Sequence, residues 1–324
     1  MKRNSTLYLA LSAAVLAATG AHAQIAINAS AAAAGGVTPG DAPGYPVTLS
    51  QAGAYKLTGN LSLTSADPNS VVVHITAANV DLDLNGFTIG SYNVCANTSS
   101  HYNGPGNDCL NRKIYDPLVL VEAPFARIHG GYVEGSLGDG IFIASLPSQP
   151  GGSVLDDLQV TNNRGYGISS VDDGAAVRDS LVTLNGSGGV VVARDGVLHK
   201  VRVSRNNGNG VQTGTNALIE QVTSTYNELN GIAADGGSVT QVEASFNGGD
   251  GVLGSAAVSF SRAQRNGGAG YRYPVMLTQS SASDSPIGYA APLTGGCYGN
   301  FHSRNTTTPI QAGTGFVGTL TVCP

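Results

Sequence analysis

A period of about twenty residues runs from Leu155 to Tyr271, and no other feature constrains the fold as strongly. Six copies share one pattern, in which an apolar strand-like segment leads to an Asn and, four residues later, to a Gly followed by Ile, Val or Tyr. The Asn residues are Asn163, Asn185, Asn206, Asn227, Asn247 and Asn266, and the Gly residues are Gly167, Gly189, Gly210, Gly231, Gly251 and Gly270. A fixed period of this length marks a solenoid built from stacked repeats.

Inside a copy the period is two. Leu198, Val201 and Val203 are apolar, with His199, Lys200 and Arg202 between them, and the longer first gap implies a bend. Alternation of this kind makes a strand with one buried face. No copy offers the three- and four-residue spacing of a helix. A second short strand, such as Val190–Val192, follows each Gly. One unit cannot bury its apolar face alone, so copies must stack in register into a parallel coil. Stacking aligns the Asn side chains into a hydrogen-bonded ladder. Asn tolerates a left-handed backbone, and the Gly is expected to supply positive φ at the next turn. The length variation falls between each Gly and the next apolar start, which puts the variable loops on one side.

The flanking regions follow in order. Residues 1–23 have the basic start (Lys2, Arg3), short apolar run and Ala21-His22-Ala23 site of a secretory signal peptide, so the chain is expected to be secreted or periplasmic. The apolar run is too short to span a membrane. Residues 24–45 are Ala- and Gly-rich and read as a flexible lead-in. The coil is expected over 46–275, with an insert at 92–117, and residues 276–324 as a C-terminal cap or tail. Export permits disulfides. Proximity suggests Cys95–Cys109 and Cys297–Cys323, although four cysteines allow three pairings. Charged residues make up 11% of the chain, with no basic run, which argues against a nucleic-acid partner.

The Asn-x-x-x-Gly-Ile/Val repeats and the stretch Val80-Asp-Leu-Asp-Leu-Asn-Gly-Phe-Thr-Ile89 resemble the right-handed parallel β-helix proteins of the pectate-lyase-like superfamily. The resemblance covers roughly residues 46 to 275. It implies a single-stranded, all-β right-handed solenoid with capped ends. It does not by itself imply an activity.

Aligning the copies sets outward residues in columns. The first column reads Asn85, His129, Asp156, Arg178, His199 and Glu220. The second reads Gly86, Gly130, Asp157, Asp179, Lys200 and Gln221. A third reads Thr88, Tyr132, Gln159, Leu181, Arg202 and Thr223. Asp157 and Asp179 fall on adjacent rungs, close enough to share a proton or a cation. By resemblance, a lyase of the superfamily would hold Ca²⁺ on such rungs and use Arg or Lys as base, which makes Lys200 and Arg202 candidates. A hydrolase would pair Asp157 and Asp179 with His199, Asp156 being a further candidate carboxylate. The bland alternative is a ladder of solvated charges that contributes little, about 0–1 kcal/mol per pair. No firm metal-ligand spacing occurs, and no cofactor is expected outside the lyase reading. His129, Tyr132 and Tyr102 are candidate glycan contacts, Tyr102 lying in the insert. Two functions remain open: an exported scaffold that binds a polysaccharide or cell-surface ligand, or a lyase or glycoside hydrolase acting on an acidic polysaccharide.

Overall fold

The computed structural model describes residues 24–64, 71–91, 116–144, 151–290, 297–306 and 310–311. The chain is a right-handed parallel β-helix. Strands stack into a 21-stranded sheet and a 12-stranded sheet, and all the pairings are parallel. The larger sheet contains two columns of strands that meet at a bend, so a typical coil has three short strands. One coil runs Ala176–Arg178, Leu181–Thr183 and Gly188–Val192, each paired to its equivalent one coil later.

Register produces apolar columns inside the coil. Leu82, Ile128, Leu155, Val177, Leu198, Ile219, Val239, Val258 and Leu277 follow one another on successive rungs, all essentially inaccessible to water. A second column changes from Val133, Val160, Val182 and Val203 to Ser224, Ala244, Ala263 and Ala282. The lost volume coincides with larger residues opposite. The third column includes Tyr271 and Tyr289, whose rings stack with centroids 5.7 Å apart. Their hydroxyls donate to the carbonyls of Ser281 and Phe301. Dense interiors require such compensation, and burial pushes both phenols above their ordinary pKa.

The Asn ladder forms. Each Nδ2 donates to the Oδ1 of the Asn one coil on, at 3.0–3.1 Å from Asn163 through to Asn266. The same Oδ1 atoms also accept the preceding Asn backbone N–H. Ser136 opens the ladder by donating its N–H to Asn163, and Ser285 and Asn305 extend it past Asn266.

Two expectations about these turns need correction. The left-handed residue is the one before each Asn: Asn162, Leu184, Arg205, Tyr226, Phe246 and Arg265 have φ between 52° and 61°. The repeat Gly residues do not have positive φ. They are small because a Cβ there would collide with the ladder. A methyl on Gly210 would lie 2.5 Å from Asn227 Nδ2 and 2.7 Å from the Gly231 carbonyl oxygen. Gly and Asn are therefore one device: the amide ladder can run only where the next strand starts without a side chain.

The ends also differ from expectation. Residues 24–45 are built into the fold. Ile25–Ile27 pairs with Gly53–Leu57, and a helix, Ala29–Ala34, follows with Asn28 as N-cap and Gly35 (φ 68°) at its end. This caps the first coil, which would otherwise present unpaired strand edges. Beyond 275 the coil continues: Met276–Thr278, Ser281–Ser283 and Ile287–Ala290 pair in register with the preceding coil. Ser285 at an Asn position hides that coil from the repeat template. The proposed Cys95–Cys109 and Cys297–Cys323 bridges lie outside the described residues, Cys297 being described only in its backbone.

One pH response follows from a turn. Asp139 accepts the Tyr166 N–H at 2.7 Å. Burial holds its carboxyl above the ordinary carboxylate range, and the Tyr166 bond opposes this only in part. The folded state therefore binds the proton more tightly than the unfolded chain. The associated stability is complete below the unfolded pKa and is lost as pH rises through the folded value. Asp139→Asn keeps the acceptor oxygen and removes the charge. It is expected to raise the urea midpoint at pH 7, with the gain vanishing near about pH 3. A variant less stable than the parent at pH 7 would contradict this.

Candidate functional site

The bend between the two strand columns of the larger sheet creates the site. At each bend one residue adopts a left-handed conformation, and in most coils it is not a glycine: Asp157 (φ 50°), Asp179 (45°), Lys200 (55°), Gln221 (55°), Gln241 (54°) and Phe260 (50°). Asp is among the residues that accept this region most readily. The conformation turns the side chain out of the coil, while the next residue, such as Leu158 or Val201, points into the core.

Beside this corner lies an open groove of about 590 Å³. Gly86, Gly130 and Gly131 line it at one end beside Tyr132, and Gln159, Asp157, Asp179, Lys200 and Arg202 line it further along. Gly131 has no room for a side chain, since a Cβ would meet Leu84 at 2.5 Å. Two extra residues cause that crowding. Four residues, 84–87, separate Asp83 from Thr88, whereas two, Gly130 and Gly131, separate their partners His129 and Tyr132. For the same reason Asp83, not Asn85, shares the rung of His129.

The rest of the alignment follows the strand register. Tyr132, Gln159, Leu181 and Arg202 occupy consecutive rungs. Successive rungs are about 4.8 Å apart, so the groove spans about 14 Å from the Tyr132 rung to the Arg202 rung. Along that length the chemistry changes in order: a bare corner beside Tyr132, then Asp157 with Gln159, then Asp179 with Leu181, then Lys200 with Arg202. One coil further on, Gln221 donates to Gln241 at 3.1 Å, and the charged corner ends.

The candidate residues divide into two groups. Asp157, Asp179, Lys200 and Arg202 are exposed and line the groove. Among the described residues none of the four makes an ion pair or a side-chain hydrogen bond. Tyr132 is 42% exposed beside them. His129, Asp156 and His199 are engaged elsewhere and do not line the groove. His129 Nε2 lies 3.1 Å from Asp81, Asp156 accepts from Arg127 at 3.1 Å, and His199 Nδ1 lies 3.4 Å from Glu220. These belong to the solvated charge ladder. Tyr102 lies outside the described residues. Gln159, Gly86 and Gly130 stood in the outward columns without the chemistry that marks a site, and Gly131 stood in none; stacking of the rungs makes all four line the groove.

The donor set is small for a metal. Ca²⁺ takes six to eight oxygen ligands, and the groove offers the two carboxylates of Asp157 and Asp179 with Lys200 on the next rung. No group of three or more His, Cys, Asp or Glu suited to a metal occurs among the described residues. Nor, among those residues, is any helix long and apolar enough to cross a membrane.

Fold and site together define a parallel β-helix with a mixed-charge groove along one corner. No protein-family model matches the chain, and no match was found among curated proteins. Among solved structures, the A-module of the mannuronan C-5 epimerase AlgE6 from Azotobacter vinelandii is similar at 14% identity and a TM-score of 0.45. The match covers 80% of each chain. The A-module of the epimerase AlgE4 from the same organism matches 81% of this chain and 83% of its own, at 15% identity and a TM-score of 0.44. The enzymatically active domain of tailspike protein 2 of bacteriophage CBA120 matches 82% of this chain and 38% of its own, at 10% identity and a TM-score of 0.35.

Proposed function

We propose that this chain is an exported β-helix protein that binds a polysaccharide along the corner groove. One observation carries the reading. Two cations, two carboxylates and an exposed tyrosine converge on an open groove, and among the described residues none of the four charges has a partner. The neighbouring Asp81, Arg127 and Asp156, by contrast, pair with one another. Sugars suit such a surface. Carboxylates and Gln159 take part in hydrogen bonds with hydroxyls. Lys200 and Arg202 meet anionic groups. Tyr132 offers an aromatic face with a polar tip.

Binding of the full chain to a panel of neutral and acidic polysaccharides, followed by calorimetry, tests this. Lys200→Ala with Arg202→Ala is expected to weaken an acidic ligand about tenfold to hundredfold, the range for losing charge-assisted hydrogen bonds. Binding unchanged in the double variant would place the ligand elsewhere.

A catalytic use of the same groove has one observation in its favour. Asp157 and Asp179 occupy adjacent rungs beside Lys200, so a carboxylate and a base can flank one sugar. Cleavage of an acidic polysaccharide, by elimination or hydrolysis, is the corresponding reaction. Release of unsaturated or reducing ends that Asp179→Ala abolishes would establish it. Silence across the panel alongside measurable binding leaves a binding protein.

A further inference from the structure

We infer that the groove selects a glycan in which uncharged sugars separate the anionic groups, and that it disfavours a polymer charged at every sugar. The inference rests on the glycan reading above and names the class of ligand within it.

The order of charges along the corner carries the argument. Among the described residues, cationic side chains line the groove only at one end, where Lys200 and Arg202 lie together. The two preceding rungs present Asp157 and Asp179, and the rung before those presents Gly130 and Tyr132. A stretched glycan lying along the coil axis passes all of these in turn. An anionic group seated on Lys200 and Arg202 is attracted. The next anionic group along a fully charged polymer would come to rest against Asp179 or Asp157. Neither carboxylate has a cationic partner among the described residues to offset that contact.

Uncharged sugars reverse the balance. Their hydroxyl and amide N–H groups donate hydrogen bonds, and an ionised carboxylate is an acceptor only. Asp157, Asp179 and Gln159 thus form an acceptor-rich stretch suited to neutral sugars. The bare glycine corner beside Tyr132 leaves space for a ring to approach the aromatic face. The matching ligand carries an anionic group at one end of the occupied stretch and hydroxyl-rich or N-acetylated sugars over the rest.

Asp157→Asn with Asp179→Asn isolates the effect. Asn tolerates the left-handed backbone at both positions as well as Asp does, so the variant keeps its fold, which its circular dichroism and urea midpoint verify. Three probes of equal length are titrated into the full chain in about 150 mM salt: a sparsely charged polymer with at least three uncharged sugars between uronates, a homopolyuronate and a neutral polymer. The sparsely charged polymer is expected to bind the parent protein most tightly. The double Asn variant is expected to gain affinity for the homopolyuronate, on the order of fivefold or more, as befits removal of exposed like charges. A parent protein that prefers the homopolyuronate, or a variant that leaves the order of the three unchanged, overturns the inference while the glycan reading stands. Absence of binding by every probe overturns both.

Discussion

Asn206→Ala is expected to cost about 3–5 kcal/mol and to loosen the coils on both sides. The Asn206 side chain is fully buried. Its Oδ1 accepts two hydrogen bonds from Asn185, one from the backbone N–H and one from Nδ2, both at 3.0 Å. Its own Nδ2 donates to Asn227 Oδ1 at 3.0 Å. Alanine strands both Asn185 donors in an interior that water does not reach. Each stranded donor costs about 1–3 kcal/mol, far more than a neutral hydrogen bond contributes net. The last rung is a control. Asn305 accepts only the Ser285 N–H among the ladder contacts, so Asn305→Ala should cost about 1 kcal/mol. Urea unfolding gives the totals, and amide deuterium exchange at 185, 206 and 227 locates the damage. A cost for Asn206→Ala within about 1 kcal/mol of that for Asn305→Ala would mean that the ladder does not hold the coils together.

The second large effect is steric. Gly210→Ala is expected to destabilise the protein by about 2–4 kcal/mol, the upper range of overpacking in a dense core. The added methyl would lie 2.0 Å from Ser224 Oγ, 2.5 Å from Asn227 Nδ2 and 2.7 Å from the Gly231 carbonyl oxygen. All three atoms are already committed, since Ser224 Oγ donates to the Gly231 carbonyl at 2.6 Å and Asn227 Nδ2 donates to Asn247 Oδ1 at 3.0 Å. The chain cannot yield there without opening the next coil. Gly36 separates this effect from backbone preference. It has φ 77° with nothing within 4 Å of its Cβ position, so Gly36→Ala should cost only about 1–2 kcal/mol, the penalty of left-handed geometry. Equal losses at the two positions would sink the packing explanation.

The two predictions share an origin that explains how much the sequence revealed. Asn and Gly recur because they face each other across the same turn, so the period was legible in one dimension. The reason for Gly was not. In a single strand, positive φ and lack of space leave the same residue behind. Only the distance from Gly210 to the neighbouring coil distinguishes them. The left-handed positions were hidden for the opposite reason. Leu184, Tyr226, Phe246 and Lys200 occupy them, and none of these residue types advertises that conformation. Stacking the neighbouring coils outweighs the local backbone cost at such sites.

The site was half legible. The columns containing Asp157, Asp179, Lys200 and Arg202 could be written from the repeat, and the strand register places them as written for the coils after the first. The sequence could not tell which charges were already satisfied. His129, Asp156 and His199 looked as reactive as Lys200, yet Asp81, Arg127 and Glu220 engage them. Pairing depends on which way a side chain leaves the corner, and one residue along it, from Asp156 to Asp157 or from His199 to Lys200, changes the answer.

What the sequence determined alone was the winding: a twenty-residue period of alternating strands, Asn and Gly has no stable arrangement except coils stacked in register. Where the coils begin and end, which corner opens into a groove, and which charges stay unpartnered were decided by the tertiary structure. Those properties depend on contacts between residues about twenty positions apart, and on two extra residues at one bend, which a repeating pattern does not encode.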